Sequence, residues 1–293
     1  VKESWRNVQD VEVAETVALT SPVEPSASSP SRPGIRRNLL ARALNVHAAR
    51  GAAGIVLFFV FWQVGVSAHL PIVSKIPGPF EVGQALWKLL HDPRYYLDWV
   101  VSFERVLLGF VIAQVIGIPL GLFMGWRKNF YYLTFPVFEV LRPIPPLAWV
   151  PLAIVFWPTA ESSITFVIFL GAFFTVLINT LNGVRAIDER YVRAAMSLGA
   201  TPQTVFRRII LPGALPSIFT GMSVGMGITW SVLVAAEIIA GKNGLGYLTW
   251  EAYVAGSFPV IIVGMISIGV AGYVSSVVVR QIGVRAMPWT NRF

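Results

Sequence analysis

In this chain of 293 residues, 55% are apolar and only 13% charged, and the mean hydropathy is +0.66. That balance excludes an ordinary soluble domain and marks a membrane protein. With no cysteine and only three histidines, His47, His69 and His91, none at i, i+4 spacing, it also excludes disulfide frameworks, zinc–thiolate sites, iron–sulfur clusters, thiol catalysis and a helical zinc pair.

Residues 1–34 open with mixed charge and continue into a run rich in Pro and Ser, from Ser21-Pro22 to Arg32-Pro33. Such a segment cannot bury enough apolar surface to offset its ordering entropy, so it reads as a disordered tail. In residues 35–50, Arg36, Arg37, Arg42 and Arg50 alternate with Ile35, Leu39, Leu40, Ala43 and Val46, which suits a basic helix lying in a membrane interface. The first apolar stretch begins near residue 51 and is long enough to span, which argues against a secretory signal. Stretches able to cross about 30 Å of hydrocarbon fall near 51–70, 102–126, 131–157, 162–182, 212–236 and 258–280, six spans in all. Between the first two, residues 79–97 place Val82, Ala85, Leu86, Leu89 and Leu90 on one face, an amphipathic helix outside the bilayer.

The net charge of +8 would suit nucleic acid if it were gathered in one patch. It is instead divided by the spans. With both termini cytoplasmic, the tail, the 127–128 turn, the 183–211 loop and the C-terminal Arg280, Arg285 and Arg292 hold 17 of the 23 Lys and Arg. The other side holds Lys75, Lys88, Arg94 and Lys242, and this asymmetry is the positive-inside pattern. No nucleic-acid partner is needed to explain the charge.

Two motifs are decoys. Gly221-Met222-Ser223-Val224-Gly225 has the G-x-S-x-G form of a nucleophile elbow, but it lies in a helical apolar run and no histidine follows it. Its glycines, like Gly117, Gly121 and Gly125, suit close helix contact. Gly241-Lys242-Asn243-Gly244 resembles the end of a phosphate loop, yet Ala236 and Asn243 stand where that loop needs Gly and Ser or Thr. Any ATP must be bound by another subunit.

The 188–212 segment is too long for a simple turn. Asp188 and Glu189 suit a helix start, Arg193, Ala194, Ala195, Met196 and Leu198 favour helix, and Gly199 is a natural stop. Ala200 leads to Thr201, which can cap a second helix with Pro202 at its first position. The expected product is two short helices meeting at a bend, a compact knob suited to docking in a partner's cleft, or else an ordinary interhelical hairpin.

Ala194-Ala195, Gly199, Ile209 and Leu211-Pro212 reproduce the spacing A-A-x3-G-x9-I-x-L-P. This resembles the "EAA" loop of permease subunits of bacterial ATP-binding cassette importers, with Arg193 where the acidic residue usually stands. The runs Ser102–Phe110 and Leu141–Leu152, and Ala236-Glu237 followed by Gly244-Leu245-Gly246-Tyr247, are similar to the nitrate/sulfonate/taurine/bicarbonate permeases, over roughly residues 75–285. Trp157-Pro158 departs from the Phe-Gly common there. The resemblance implies an all-α membrane protein of the type I importer permease, or MetI-like, fold, with a permease domain over 51–285. It implies a non-catalytic subunit of the bacterial inner membrane, working with a second permease chain, two cytoplasmic ATPases that bind ATP and magnesium, and an external solute-binding protein. The coupling residues would be Arg193, Ala194, Ala195, Leu198, Gly199, Ala200 and Thr201.

Glu139 and Arg142 lie within the expected third span, where ionisable groups face a bundle interior and pair. They read as an i, i+3 salt bridge or, more sharply, as a site where Arg142 meets a passing anion. Pro143, Pro145, Pro146 and Pro151 interrupt the same span, which predicts a broken helix lining a cavity or simple kinked packing. Asn179, and Glu237 near an outer gate, complete the expected translocation pathway. Trp149 and Trp230 read as packing residues. A small anion is the expected solute, with a neutral pyrimidine-like solute or a stand-alone secondary transporter as alternatives. An intramembrane enzyme would need a nucleophile, metal or carboxylate pair that this chain does not present.

Overall fold

A computed structural model describes residues 53–54, 57–68 and 76–289. The expected tail at 1–34 and interfacial helix at 35–50 lie outside the described residues, as do residues 290–293 of the C-terminal tail. The chain divides into two units, residues 1–60 and 61–293. Among the described residues the structure is helical. An apolar helix, α1 (Leu57–Ser67), falls where the first span was expected, and its described residues are fewer than a membrane crossing needs.

The helix expected over 79–97 is two elements. α2 (Pro79–Leu89) starts with proline at its first turn, and the Glu81 carboxylate accepts the Gly78 N–H at 3.3 Å. Only Val82 on it is buried. Asp92 then caps α3 (Pro93–Trp126) by accepting the Arg94 N–H at 2.9 Å, and Pro93 again takes the first position. A polar cap beside a proline ends one helix and starts the next, which the hydrophobic pattern alone did not separate.

α3, α6 (Ala160–Arg185), the continuous run Pro202–Ala240 and α11 (Phe258–Ala286) are four helices long and apolar enough to cross a membrane. The expected span at 131–157 is not one helix. α4 (Lys128–Leu141) and the segment Pro146–Phe156 meet at 85°, the latter comprising a 3₁₀ turn Pro146–Trp149 and α5 (Val150–Phe156). Pro143, Pro145 and Pro146 cannot donate to the preceding turn, so the helix cannot continue through them. Trp157-Pro158 makes the turn into α6, whose N-cap Thr159 accepts the Ser162 N–H.

The run Pro202–Ala240 contains α8 (Pro202–Val205), a π turn Phe206–Ile210 and α9 (Leu211–Ala240). The Leu211 N–H bonds the Phe206 carbonyl, an i→i−5 link. Pro212 lies just beyond, and the widened turn accommodates its ring without breaking the helix. α10 (Leu245–Val254) is a short helix between α9 and α11.

Small residues set the packing. Gly109, Ala113, Gly117, Gly121 and Gly125 recur every four residues, forming one stripe on α3 against α6. A Cβ on Gly121 would lie 2.8 Å from the Leu177 carbonyl oxygen, so the helices meet at backbone distance there. The G-x-S-x-G glycines behave likewise: Gly221 sits against Asn179 and Gly225 against Val176 and Ala172, both within α9 and with no strand beside them. Trp230 is 2% exposed and its indole N–H donates to Ser275 Oγ at 2.9 Å, tying α9 to α11 in a packing role. The core mixes aliphatic and aromatic side chains, with Val106, Ala113, Ile168, Leu177 and Leu233 fully enclosed beside Phe110 and Phe173.

Gly121→Leu should therefore force α3 off α6 and lower stability by about 1–3 kcal/mol or more, read as the thermal midpoint of detergent-purified protein. Gly269→Leu, at a glycine with nothing within 4 Å, should leave the midpoint unchanged.

Candidate functional site

Three constellations carry charge or shape beyond packing. The first is the hairpin at 188–205. Asp188 caps α7 (Glu189–Ser197) by accepting the Arg190 N–H at 2.8 Å. Gly199 closes it with φ +83, a left-handed conformation that L side chains rarely adopt. The Gly199 N–H bonds the Met196 carbonyl and the Ala200 N–H the Ala195 carbonyl, each at 3.0 Å, a full Schellman closure. Thr201 then accepts the Thr204 N–H at 3.3 Å and Pro202 opens α8. Val192, Ala195 and Ala200 turn inward onto Val205 and Ile210. Arg193, Ala194 and Met196 face out, and Leu198 is 89% exposed. Leu198 thus stands in solvent at the bend and takes no part in the core. Trp126 at the end of α3 stacks on Phe206 at 4.7 Å, which fastens the hairpin to the bundle.

The second is the break between α4 and α5. A cavity of about 340 Å³ opens there, lined by Arg142, Ile144, Pro146, Phe174, Thr175 and Asn179 among others. Two residues singled out from sequence, Arg142 and Asn179, thus share one cavity although they sit on different helices. Glu139 stands beside it, its carboxylate 3.9 Å from the Arg142 guanidinium, at the limit of an ion pair. Both side chains are about half exposed, so neither is consumed by the other. Pro145 lies exposed within the break.

The third lies at the opposite end of the bundle from the hairpin. Asp98, Ser102 and Arg105 lie on one face of α3, at i, i+4 and i+7. Arg105 is 4% exposed. Its guanidinium grips Glu161 at the start of α6 with a two-pronged fork, Nε to Oε2 at 2.7 Å and Nη2 to Oε1 at 2.5 Å. Nη1 donates to Glu237 Oε1 and to the Asn243 carbonyl, at 2.8 and 2.7 Å. Glu237, with no exposed surface, also accepts from the Ser102 hydroxyl and the Gly246 N–H. Asp98 accepts the Gly244 N–H at 2.7 Å. Gly244 has φ +120 and a Cβ there would run into the Glu237 carboxylate, so only glycine fits that turn.

Glu237, expected in the pathway near an outer gate, is therefore a buried partner of Arg105 and does not line the cavity of Arg142 and Asn179. A carboxylate taken wholly out of solvent needs a cation and several donors, and Arg105, Ser102 and Gly246 supply them. Arg105, Glu161, Asp98 and Ser102 were not among the expected site residues. The available signal was Arg105 itself, an ionisable residue inside a span, which requires a partner. What the sequence could not supply was the partner, 56 and 132 residues away.

With this geometry in place, the comparisons with known proteins are decisive. The sequence model of the family described as "binding-protein-dependent transport system inner membrane component" matches residues 117–288. The chain belongs to this family. It is 34% identical over 256 residues to a nitrate import permease of Synechocystis, covering 84% of this chain and 92% of that protein. It is 35% identical over 242 residues to a taurine transport system permease of Escherichia coli, covering 80% and 86%. In fold, it is similar to a chain of the inward-facing MetNI methionine ABC transporter, with a TM-score of 0.55 at 20% identity over 69% of this chain and 99% of that one. The chain is thus an ABC importer permease of the nitrate, taurine and bicarbonate group, a multi-pass, non-catalytic membrane subunit. The Ser102–Phe110 and Ala236–Tyr247 segments, which carried the resemblance separately, meet in the Arg105 cluster.

Arg105→Gln should leave the enclosed Glu237 carboxylate without its cation and cost about 3–5 kcal/mol, read as a lowered thermal midpoint, while Glu161, whose side chain is largely exposed, can turn to solvent. Arg105→Lys should fall between, because an ammonium cannot fork onto Glu161 while reaching Glu237.

Proposed function

We propose that this chain forms half of the translocation pathway of an ATP-driven importer for a small anion of the sulfonate, nitrate or bicarbonate kind. The observation that carries this reading is Arg142 beside a cavity at a broken membrane helix, with Asn179 on the facing wall. Irregular backbone at membrane depth is tolerated where it lines a cavity, and an incompletely paired guanidinium there is a ready partner for a carboxylate, sulfonate or nitrate.

In this reading the hairpin is the coupling element. Arg193, Ala194, Ala195, Leu198, Gly199, Ala200 and Thr201 present a stiff knob to a cytoplasmic ATPase, which binds ATP and magnesium. Closure of two such ATPases would move the hairpin, and through the Trp126–Phe206 stack the helices of the bundle. A second permease chain completes the pathway, twofold pairing being the commonest closed solution. An external solute-binding protein delivers the solute to the end that carries the Arg105 cluster. Both termini are then cytoplasmic, in agreement with the distribution of Lys and Arg.

Arg142→Gln should abolish uptake by the assembled transporter while the complex still purifies with its ATPase; normal uptake by that variant would refute the pathway reading. A cysteine at Leu198 in the complete assembly should crosslink to the ATPase subunit. Labelling of that thiol by lipid-borne or aqueous reagents alone would refute the coupling role.

A further inference from the structure

We infer that the cavity between the α3–α4 elbow and the base of the hairpin binds the phosphodiester headgroup of an anionic phospholipid. Which leaflet supplies the lipid rests on the reading of the hairpin end as cytoplasmic; the chemistry of the site does not.

α3 ends at Trp126 and α4 begins at Lys128, with one extended residue, Arg127, between them. This elbow, the end of α6 and the start of α7 enclose a cavity of about 350 Å³, whose lining sets Lys128, Arg185 and Glu189 beside the buried apolar side chains of Met124 and Ile210. Among the described residues, none of those three charged groups forms an ion pair or donates or accepts a side-chain hydrogen bond.

An unpaired cation on a surface is ordinarily just solvated. Arg185 differs in being held. Its guanidinium carbon lies 3.6 Å from the centre of the Tyr131 ring, and that ring stacks on Phe135 at 4.6 Å. A ring takes the face of a guanidinium and leaves its N–H donors, which lie in the plane, for a bidentate acceptor such as a phosphate. The donor is fixed before any ligand arrives, which lowers the ordering cost of binding. On the lining, Lys128 and Arg185 against Glu189 leave one positive charge, which the one negative charge of a phosphodiester neutralises.

A lipid accounts for more of this surface than a soluble anion does. Trp126 lines the cavity, and Tyr131 and Tyr132 follow at the elbow, amphipathic rings of the kind that settle at headgroup depth. From Lys128, α4 runs on with Tyr132, Leu133, Val137 and Val140 exposed. Acyl chains can lie along that apolar side while the headgroup is held at its start; a soluble anion would leave it bare. Basic pockets between membrane helices on the cytoplasmic side hold anionic headgroups in just this way. Glu189 and Val192 of the lining belong to the hairpin, so a bound headgroup touches the bundle and the hairpin together.

The test uses the complete permease–ATPase complex in nanodiscs. The chain contains no cysteine, so Val192→Cys puts a single thiol of this subunit in the cavity wall. Its labelling rate with N-ethylmaleimide is compared in phosphatidylcholine alone, in phosphatidylcholine mixed with phosphatidylglycerol, and in phosphatidylcholine with inorganic phosphate in the buffer. Phosphatidylglycerol should slow labelling about tenfold, as an occupancy of about 90% would give, and inorganic phosphate should leave it unchanged. Asn129→Cys, exposed at the same elbow but outside the cavity, should not share the slowing. In Lys128→Gln/Arg185→Gln the protection should disappear. Equal rates in the two lipids would overturn the site, and equal slowing at Asn129→Cys would do so by reducing the effect to surface charge. Protection by inorganic phosphate as strong as that by phosphatidylglycerol would overturn the lipid in favour of a soluble anion. Protection that survives in the double variant would overturn the assignment to these two cations. The lipid comparison needs only the Val192→Cys chain, so it decides the matter even where the double variant fails to fold. Phosphatidylglycerol occupies both leaflets and uptake is not measured, so failure here leaves the pathway reading and the orientation standing.

Discussion

A guanidinium with almost no contact with solvent organises one end of this molecule. Arg105 is useful there because its planar fork can serve two carboxylates and a carbonyl at once, from α3, α6, α9 and the 241–246 turn. Its partners are forced upon it: a charge at that depth has no water to solvate it, and neither has Glu237. The four elements are therefore fixed to one another by electrostatic necessity as well as by apolar contact. The glycine stripe on α3 does the complementary work along the rest of the helix, where backbones meet without side chains between them. Together they hold α3, α6 and α9 in close contact.

Two departures from regular helix lie outside that lock. The 85° break at Arg142–Pro145 and the hairpin at Gly199 are both places where the sequence withholds backbone donors or demands a left-handed residue. In hydrocarbon such departures are expensive unless a cavity or a partner receives the freed groups. The break opens on a cavity and the hairpin on solvent. In the function proposed above, the solute is met at the first of these points and mechanical work is received at the second, with regular helix packing between them.

Much of the hairpin was legible in the chain because its determinants are local. Asp188, Gly199, Thr201 and Pro202 act within four residues of themselves, and each takes the capping or closing role that its chemistry suggests. The broken span was half legible. Pro143, Pro145 and Pro146 announce an interruption, but hydropathy over 131–157 is continuous and cannot distinguish a kink from a right-angle turn. The amphipathic stretch at 79–97 read as one helix because periodicity survives across Asp92-Pro93, where a cap and a proline in fact begin a new one.

By itself, the sequence determined that this is a membrane chain, where its polar loops lie, how its hairpin closes and to which family it belongs. All of these depend on composition or on residues near one another along the chain. Only the tertiary structure decided that Arg105 and Glu237 neutralise each other, that Glu237 is withdrawn from the cavity, and that Arg142 and Asn179 face a common space. Those facts depend on which helices lie side by side. Burial turns a charge into a demand for a partner without saying which of several distant carboxylates will answer it, and that choice is made only when the glycine-lined helices pack.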